Sequence, residues 1–391
     1  MAMAALVDEL IEEILRRLPP SEPACLVRAA LVCKRWCGIV SDAGFRRRLR
    51  EFHGAPPAVA AVYNAVDGDA YVARFTPCAS FPPRADRRCK AVLDCRHGRV
   101  LLRGMPPVGK DLHLEDGSVV DVWDPVTDEQ WEVPVPDVYP HEFDVVVLCA
   151  ATGGTCDHLD CHGGPFVVVL VGTDLDNVFI YAYSSETAAW SKASTIHLDA
   201  TLNSYLILRP GLVSGDSIYF MLEDGHKILK YDLVGHVISM INPPSLHAKG
   251  NVALVEAKDG RLGVADVEGY NLHIWSRQAA GSNGIEQWVK DQVIKLDMVP
   301  SIATLGPSAK FNVVGFGEGT NIIFISANAG IFVVWRNSGR VMKAGEKRAV
   351  MARFLNPMFS FQSFYTPALG PAPCMPPSQS PEVSTEKKKK K

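Results

Sequence analysis

No apolar run in this 391-residue chain is long enough to cross a bilayer. Runs such as Phe166–Val171 and Val145–Ala151 fall far short of the ~20 residues a spanning helix needs, so they read as buried strands and no membrane association is expected. A dominant charge is also missing. Lys and Arg number 40 against 43 Asp and Glu, a formal net charge of −3, which removes the electrostatic case for binding nucleic acid. The basic groups Arg46-Arg47-Arg48-Arg50 and Arg84…Arg87-Arg88…Lys90 are short and read as solvated faces. Met1-Ala2-Met3-Ala4-Ala5 leads straight into acidic residues, without the basic segment and apolar core of a secretory signal. The 10 cysteines have no framework spacing, so reduced thiols in a cytoplasmic or nuclear protein are expected.

Catalytic signatures are lacking as well. There is no Gly-x-Ser-x-Gly elbow, and no Ser/His/Asp grouping can be assembled. Gly315-Phe316-Gly317-Glu318-Gly319 superficially evokes a phosphate loop. Thr320-Asn321 and a strand follow it, so the helix N-terminus that would hold phosphate is absent and a turn is expected. Asp144, Asp174, Asp176 and Asp232 would have to converge at one mouth to act as an acid/base set; acidic residues at strand ends are commonplace.

What is present begins at residue 6. Leu6, Leu10, Ile14, Leu15 and Leu18 fall three and four apart and share one helical face. Asp8, Glu9 and Glu12 lie near the start of that helix and Arg16 and Arg17 near its end, the order the helix dipole favours. Pro19-Pro20 stops it. Ser21 reads as the cap of a second short helix with Pro23 in its first turn. A third helix carries Leu31, Val32, Trp36, Ile39 and Val40 on one side. Three short helices in about 40 residues cannot bury that much apolar surface among themselves. The surplus faces either another domain of the same chain, as a helical cap would, or another protein.

The order of these residues is more specific. Leu10…Ile14-Leu15…Leu18-Pro19…Leu26…Val32-Cys33-Lys34…Trp36…Phe45, over residues 5–46, resembles the F-box, the module by which substrate receptors dock onto the Skp1-type adaptor of cullin-RING ubiquitin ligases. The resemblance implies that Leu10, Ile14, Leu15, Leu18, Pro19, Leu26, Val32, Cys33 and Trp36 contact the adaptor or pack the module that presents them. Cullin and RING proteins would be reached through the adaptor. One departure stands out: the family usually has Leu-Pro where this chain has Leu6-Val7. Loss of that proline is expected to weaken docking without abolishing it.

After a linker over 47–59 the pattern changes to short β-branched runs separated by Gly, Asp, Asn and Pro. One unit recurs: a Gly turn and apolar strand, a second strand ending in an aromatic or charged residue, a polar turn, and a third strand. It is seen in His97–Leu102 with Val119–Asp124 and Gln130–Val133, and four more times, the last in Thr320–Ile325 with Ile331–Trp335 and Arg340–Met342. The landmarks Trp123, Tyr183, Tyr231, Trp275 and Trp335 recur at the period of a four-stranded propeller blade. Residues 60–76 and the strand Phe359–Tyr365 are expected to share a closing blade. The fold class is therefore α+β multidomain: a three-helix F-box, an all-β propeller-like domain over 60–367 with six or seven blades, and a Pro- and Lys-rich disordered tail over 368–391. A β-sandwich is the competing architecture.

Asp94-Cys95-Arg96-His97-Gly98-Arg99-Val100-Leu101-Leu102, Val122-Trp123-Asp124-Pro125-Val126-Thr127, Asp259-Gly260-Arg261-Leu262 and Phe364-Tyr365-Thr366-Pro367 look like the C-terminal domain of a large plant F-box family that is especially expanded in grasses. This likeness implies a substrate-recognition subunit of an SCF (Skp1-cullin-F-box) E3 ubiquitin ligase, itself non-catalytic, with an unidentified protein target. The alternatives are a ligand-binding or enzymatic propeller with a helical cap, and an F-box scaffold that does not direct ubiquitination. No catalytic, cofactor-binding or metal-ligating set is expected. Cys149, Cys156, His158, Asp160, Cys161 and His162 crowd one connection, but without a Cys-x-x-Cys pair they read as a long polar loop. Cys33 and Cys37, one helical turn apart, read as part of the helical module's core flanking Trp36. The Trp and Tyr series reads as inter-blade packing, with exposed anchors such as Trp190 or Tyr270 as the other possibility. The terminal lysines read as a solvated tail or a weak nuclear-import signal.

Overall fold

A computed structural model describes residues 7–77, 86–110, 119–136, 142–151, 156, 158, 161–173, 177–192, 194–197, 211–222, 227–244, 252–278, 287–297, 302, 306, 310–345 and 357–364. The proposed tail over 368–391 lies outside them.

The N-terminal module holds four helices, one more than the sequence pattern suggests: α1 (Asp8–Arg16), α2 (Pro23–Ala30), α3 (Lys34–Ser41) and α4 (Ala43–His53). In α2 the first helical residue is Pro23 and the residue before it is Glu22, which makes no side-chain cap bond; Ser21 does not cap it. The fourth helix occupies the first half of the stretch expected as a linker. Its signal is Asp42, whose carboxylate accepts the Phe45 N–H at 2.8 Å, followed by Phe45 and Leu49 one turn apart and both buried. Its arginines are not all solvated: Arg48 pairs with Glu12 of α1, and Arg46 donates to the Ser41 carbonyl. Ile11, Leu15, Leu26, Ala29, Ala30, Val40, Phe45 and Leu49 form the module's core, with Leu18, Trp36 and Ile39 packed against it.

Residues 58–362 form a six-bladed β-propeller. Blade 1 combines Met358–Gln362 with Ala58–Asp67, Ala70–Pro77 and Arg87–Arg88. Blade 2 is Lys90–Arg96, Arg99–Gly104, Val119–Trp123 and Gln130–Pro134; blade 3 is Glu142–Cys149, Phe166–Thr173 and Asn177–Ser184, edged by Ala189–Trp190 and Ser194–His197. Blade 4 is Leu212–Ser214, Ser217–Met221, Ile228–Asp232 and Ile238–Ile241, and blade 5 is Val252–Glu256, Leu262–Glu268, Asn271–Gln278 and Gln287–Lys295. Blade 6 is Asn312–Gly317, Ile322–Ala327, Gly330–Trp335 and Val341–Gly345. The recurring sequence unit supplies the outer three strands of blades 2–6. The innermost strands escaped it because they are covered on both faces and carry no alternation, as in the unbroken buried run Val252–Val255.

The ring closes as expected: Val62 lies opposite Phe359 and Ala61 opposite Ser360, so the C-terminal strand completes the N-terminal blade. The separate sheets exclude the β-sandwich. Trp123, Tyr183, Tyr231, Trp275 and Trp335 sit on the third strands, and the first three are buried. Trp123 is enclosed by Phe75 edge-on at 5.4 Å and the Arg87 guanidinium at 4.1 Å, which seals blade 1 to blade 2. Two members of the second basic cluster pair within the fold, Arg87 with Asp128 and Lys90 with Asp121; Arg88 is exposed and Arg84 lies outside the described residues. Trp190 and Tyr270 are anchored too: the indole N–H donates to the Pro134 carbonyl at 2.7 Å and the phenol to the Gly306 carbonyl at 2.5 Å.

Candidate functional site

The helical module leaves an apolar row uncovered. Leu10 and Ile14 are each 51% exposed, Val7 55%, Leu31 74% and Val32 64%. No described propeller residue joins the module's core. The row exists because α1 is apolar on more than one side: Ile11 and Leu15 point into the core while Leu10 and Ile14, one position earlier in each pair, point out. Arg35 at the start of α3 pairs with Asp8 at the start of α1, so the α2–α3 connection carrying Val32 and Cys33 lies within a side chain's reach of that row. Of the nine residues singled out in the sequence, Leu10, Ile14, Pro19, Val32 and Cys33 are exposed, Leu18 and Trp36 half-buried, and Leu15 and Leu26 buried. The last two pack the module. Sequence reasoning passed over Ile11, which belongs to the core, and placed Leu31 on the third helix, whereas it caps α2 and is exposed.

The second feature is the propeller's central channel. Arg96 is buried there. Its Nη1 donates to both carboxylate oxygens of Asp94 (2.9 and 3.0 Å), its Nε to Glu318 Oε2 (2.7 Å) and its Nη2 to the Gly211 carbonyl. One guanidinium therefore ties blade 2 to the start of blade 4 and to the turn after the first strand of blade 6. Asp94 also accepts the Val147 N–H of blade 3 at 2.9 Å. Burial pushes the Asp144 carboxyl well above the usual carboxylate range, and the Glu318 carboxyl up to about 7 against the pull of Arg96. Asp144 shares the channel with Arg96, whereas Asp232 caps a turn, accepting the Gly235 N–H at 2.6 Å. These two do not converge, and Asp174 and Asp176 lie outside the described residues. Of the glycine-rich stretch, Gly315–Gly317 end the first strand of blade 6 and Glu318-Gly319 form the turn to the second, so the stretch leads into a strand and not a helix.

Glu318 gives the channel a pH dependence. Its folded value of about 7 exceeds the ordinary 4.5, so the folded state holds the proton more tightly than the unfolded chain. This contribution is complete below pH 4.5, is lost as pH rises toward 7, and is flat above. The melting temperature of Glu318→Gln, compared with the parent across pH 4.5–8, is expected to lack this component of the slope. Parallel curves would show that Glu318 titrates normally.

At the mouth of the channel the hairpin joining the first two strands of blade 2 turns on His97 (φ 50°) and Gly98 (φ 74°), both in the left-handed region. Gly98 is required for a second reason: a Cβ there would stand 2.8 Å from the His162 Cβ. His162 Nδ1 meets Asp124 Oδ2 at 2.6 Å. Burial works against the charged form of Asp124, but the bonds from His162, the Val126 N–H and Thr127 together hold it below the usual carboxylate range. A cavity of about 160 Å³ opens here, lined among others by Arg96, His97, His158, His162, Glu318 and Gln362. Ligand atoms of Cys149, Cys156, His158 and Cys161 all lie within 4.8 Å of one another beside it. The sequence shows these residues crowding one connection but not their convergence, because one member ends a strand, the other three come from the connection after it, and no Cys-x-x-Cys pair marks them. Asp160 lies outside the described residues.

Residues 4–48 match the F-box domain model, and residues 91–355, more than half of the chain, match the model described as F-box protein AT5G49610-like, beta-propeller. The chain belongs to this F-box propeller family. An F-box followed by such a propeller is the organisation of substrate-recognition adaptors, which are typically non-catalytic. No curated protein matches the chain. Among solved structures the chain is similar to the β-propeller domain of Cps50 (Swd1) from Myceliophteria thermophila, at 12% identity over 74% of this chain and 85% of that one, TM-score 0.39. It is also similar to a chain of a nidogen/laminin complex (9% identity, 78% and 99% covered, TM-score 0.40). A 6-phosphogluconolactonase-like protein from Bacteroides uniformis gives 11% identity, 76% and 98% covered, TM-score 0.37. Likeness at this level carries no argument about function. In this F-box protein, then, two features stand out: the uncovered row on the helices and the cavity at the channel mouth.

Proposed function

We propose that the protein is the substrate-recognition subunit of an SCF-type ubiquitin ligase. Its F-box docks onto a Skp1-like adaptor, which brings cullin and RING proteins, and its propeller holds a protein target. The observation that carries this reading is the uncovered row: Leu10 and Ile14 remain half exposed in a module that already has a complete core of its own. Apolar surface of this kind on a small module marks a protein contact. A mere cap on the propeller would have buried it. The target is brought to the conjugating enzyme by tethering, which raises its effective concentration without covalent chemistry by this chain. This reading places the protein in the cytoplasm or nucleus, where the adaptor and reduced thiols are found. The plant origin implied by the Val122–Thr127 and Asp259–Leu262 motifs belongs to the same proposal.

The test is titration of the purified full-length chain with a Skp1-type adaptor. A one-to-one complex with submicromolar affinity is expected; no complex at tens of micromolar would overturn the proposal. Val7→Pro adds a finer measurement. Val7 has φ −70°, the value a proline ring imposes, so the substitution fits the backbone. It is expected to tighten binding a few-fold. A hundredfold rise would show that the natural chain docks poorly and would favour a scaffold that does not direct ubiquitination.

A further inference from the structure

We propose that Cys149, Cys156, His158 and Cys161 bind one structural zinc ion that fastens the blade 3 connection to the channel mouth. The four side chains offer three thiols and an imidazole, with ligand atoms all within 4.8 Å of one another. Zinc–sulfur bonds of ~2.3 Å in a tetrahedron require ligand–ligand edges of about 3.8 Å. Cys161 Sγ and His158 Nδ1 already stand 3.7 Å apart. Three thiolates with one imidazole suit zinc, whereas magnesium and calcium prefer oxygen donors.

The surroundings fit as well. The His158 N–H points at Cys156 Sγ at 3.4 Å, a donor aimed at a ligand sulfur. The His158 ring stacks on His97 at 4.1 Å with an interplanar angle of 3°, which fixes its orientation. His97 Nδ1 in turn accepts the Cys149 N–H at 3.3 Å. Such outer contacts hold ligands in place in metal sites. Charge balances too. Zinc with three thiolates carries one net negative charge, and Arg99, fully buried, donates to the carbonyls of Cys161 (2.5 Å) and Gly164 (2.6 Å). The Arg99 Nε and Nη1 are buried without a hydrogen-bond partner among the described residues, and the groups acting on its charge are the Cys161 and Cys149 sulfurs and, behind them, Asp124. An anionic zinc centre on those sulfurs would add negative charge beside this cation.

The site has a consequence for recognition. His158 and Cys161 also line the channel-mouth cavity. An ion held between the end of the first strand of blade 3 and the loop that follows would set the shape of the surface presented there. It would do so independently of the F-box, whose core is separate.

The full-length protein, produced in zinc-supplemented medium and purified under reducing conditions, is expected to carry about one zinc per chain by elemental mass spectrometry. The Cys156→Ser/Cys161→Ser double variant is expected to lose it, while Cys89→Ser, at an exposed cysteine elsewhere, retains it. Cobalt titration of the chelator-stripped parent does not depend on any variant folding. It is expected to give the intense visible bands of tetrahedral, thiolate-bound cobalt, abolished by added zinc. Zinc-free protein with no cobalt bands, zinc content unchanged in the double variant, or a disulfide among Cys149, Cys156 and Cys161 in alkylated extracts would each overturn the proposal. Adaptor binding, measured on the same samples, reports on the F-box alone.

Discussion

Replacing Leu10 and Ile14 together by Asp is expected to weaken adaptor binding about a thousandfold while the helical module stays folded. Both side chains are 51% exposed, so neither substitution opens a cavity in the core formed by Ile11, Leu15, Leu26 and Phe45. Fully burying a Leu or Ile contributes ~1.5–3 kcal/mol, and about half of that remains to be gained by each residue in a complex. A carboxylate in the same interface also carries a desolvation cost of several kcal/mol unless it finds a partner. A combined loss of about 4 kcal/mol corresponds to about a thousandfold in affinity. Calorimetric titration gives the affinity and circular dichroism the helical content. Leu15→Asp is the contrasting control: at 1% exposure it should unfold the module and lose binding for that reason. Binding by the double variant within threefold of the parent would place the adaptor contact elsewhere.

The second large effect is expected at the seam that closes the ring. Gly315, on the innermost strand of blade 6, lies so close to the closing strand that an added Cβ would collide with the backbone of Met358. A backbone neighbour cannot rotate away as a side chain can. The strand already bulges between Val313 and Gly315 to make this approach. Gly315→Ala must therefore push Met358–Gln362 away, and among the described residues that strand is the only C-terminal contribution to blade 1. Overpacking typically costs ~1–3 kcal/mol, and a rigid backbone neighbour places this case at or above the upper end. For a domain of this size that amounts to a fall in melting temperature of about 6 °C. Limited proteolysis should release the C-terminal strand earlier than in the parent. Gly104→Ala, where nothing stands within 4 Å, is expected to leave both unchanged. An unshifted melting temperature in Gly315→Ala would show that the seam relaxes easily.

Periodicity made much of this architecture legible. The Leu10–Leu18 spacing gave the first helix, and the Trp and Tyr landmarks gave the blade period. The apolar run Phe359–Phe361, remote in sequence, pointed to ring closure. The fourth helix was hidden because Arg46, Arg47, Arg48 and Arg50 mask the Phe45–Leu49 pair in composition. The division between exposed Leu10 and buried Ile11 could not be read either. Both lie within one apolar helix, and which neighbour faces inward depends on where α3 and α4 pack.

The channel and the thiol cluster depended still more on tertiary structure. Nothing in the local sequence links Arg96 to Glu318, which lie 222 positions apart, or Cys149 to the Arg99 that stands behind its partners. From its own residues the chain determined a helical docking module and repeated four-stranded units that must stack to hide their faces, because hydrophobic period and turn chemistry are local properties. The number of blades and the charges brought into the channel were decided only by closure of the ring, and the convergence of three thiols on one imidazole by how one blade 3 connection folds back on its strand. Closure brings together side chains whose separation along the chain carries no information about their separation in space.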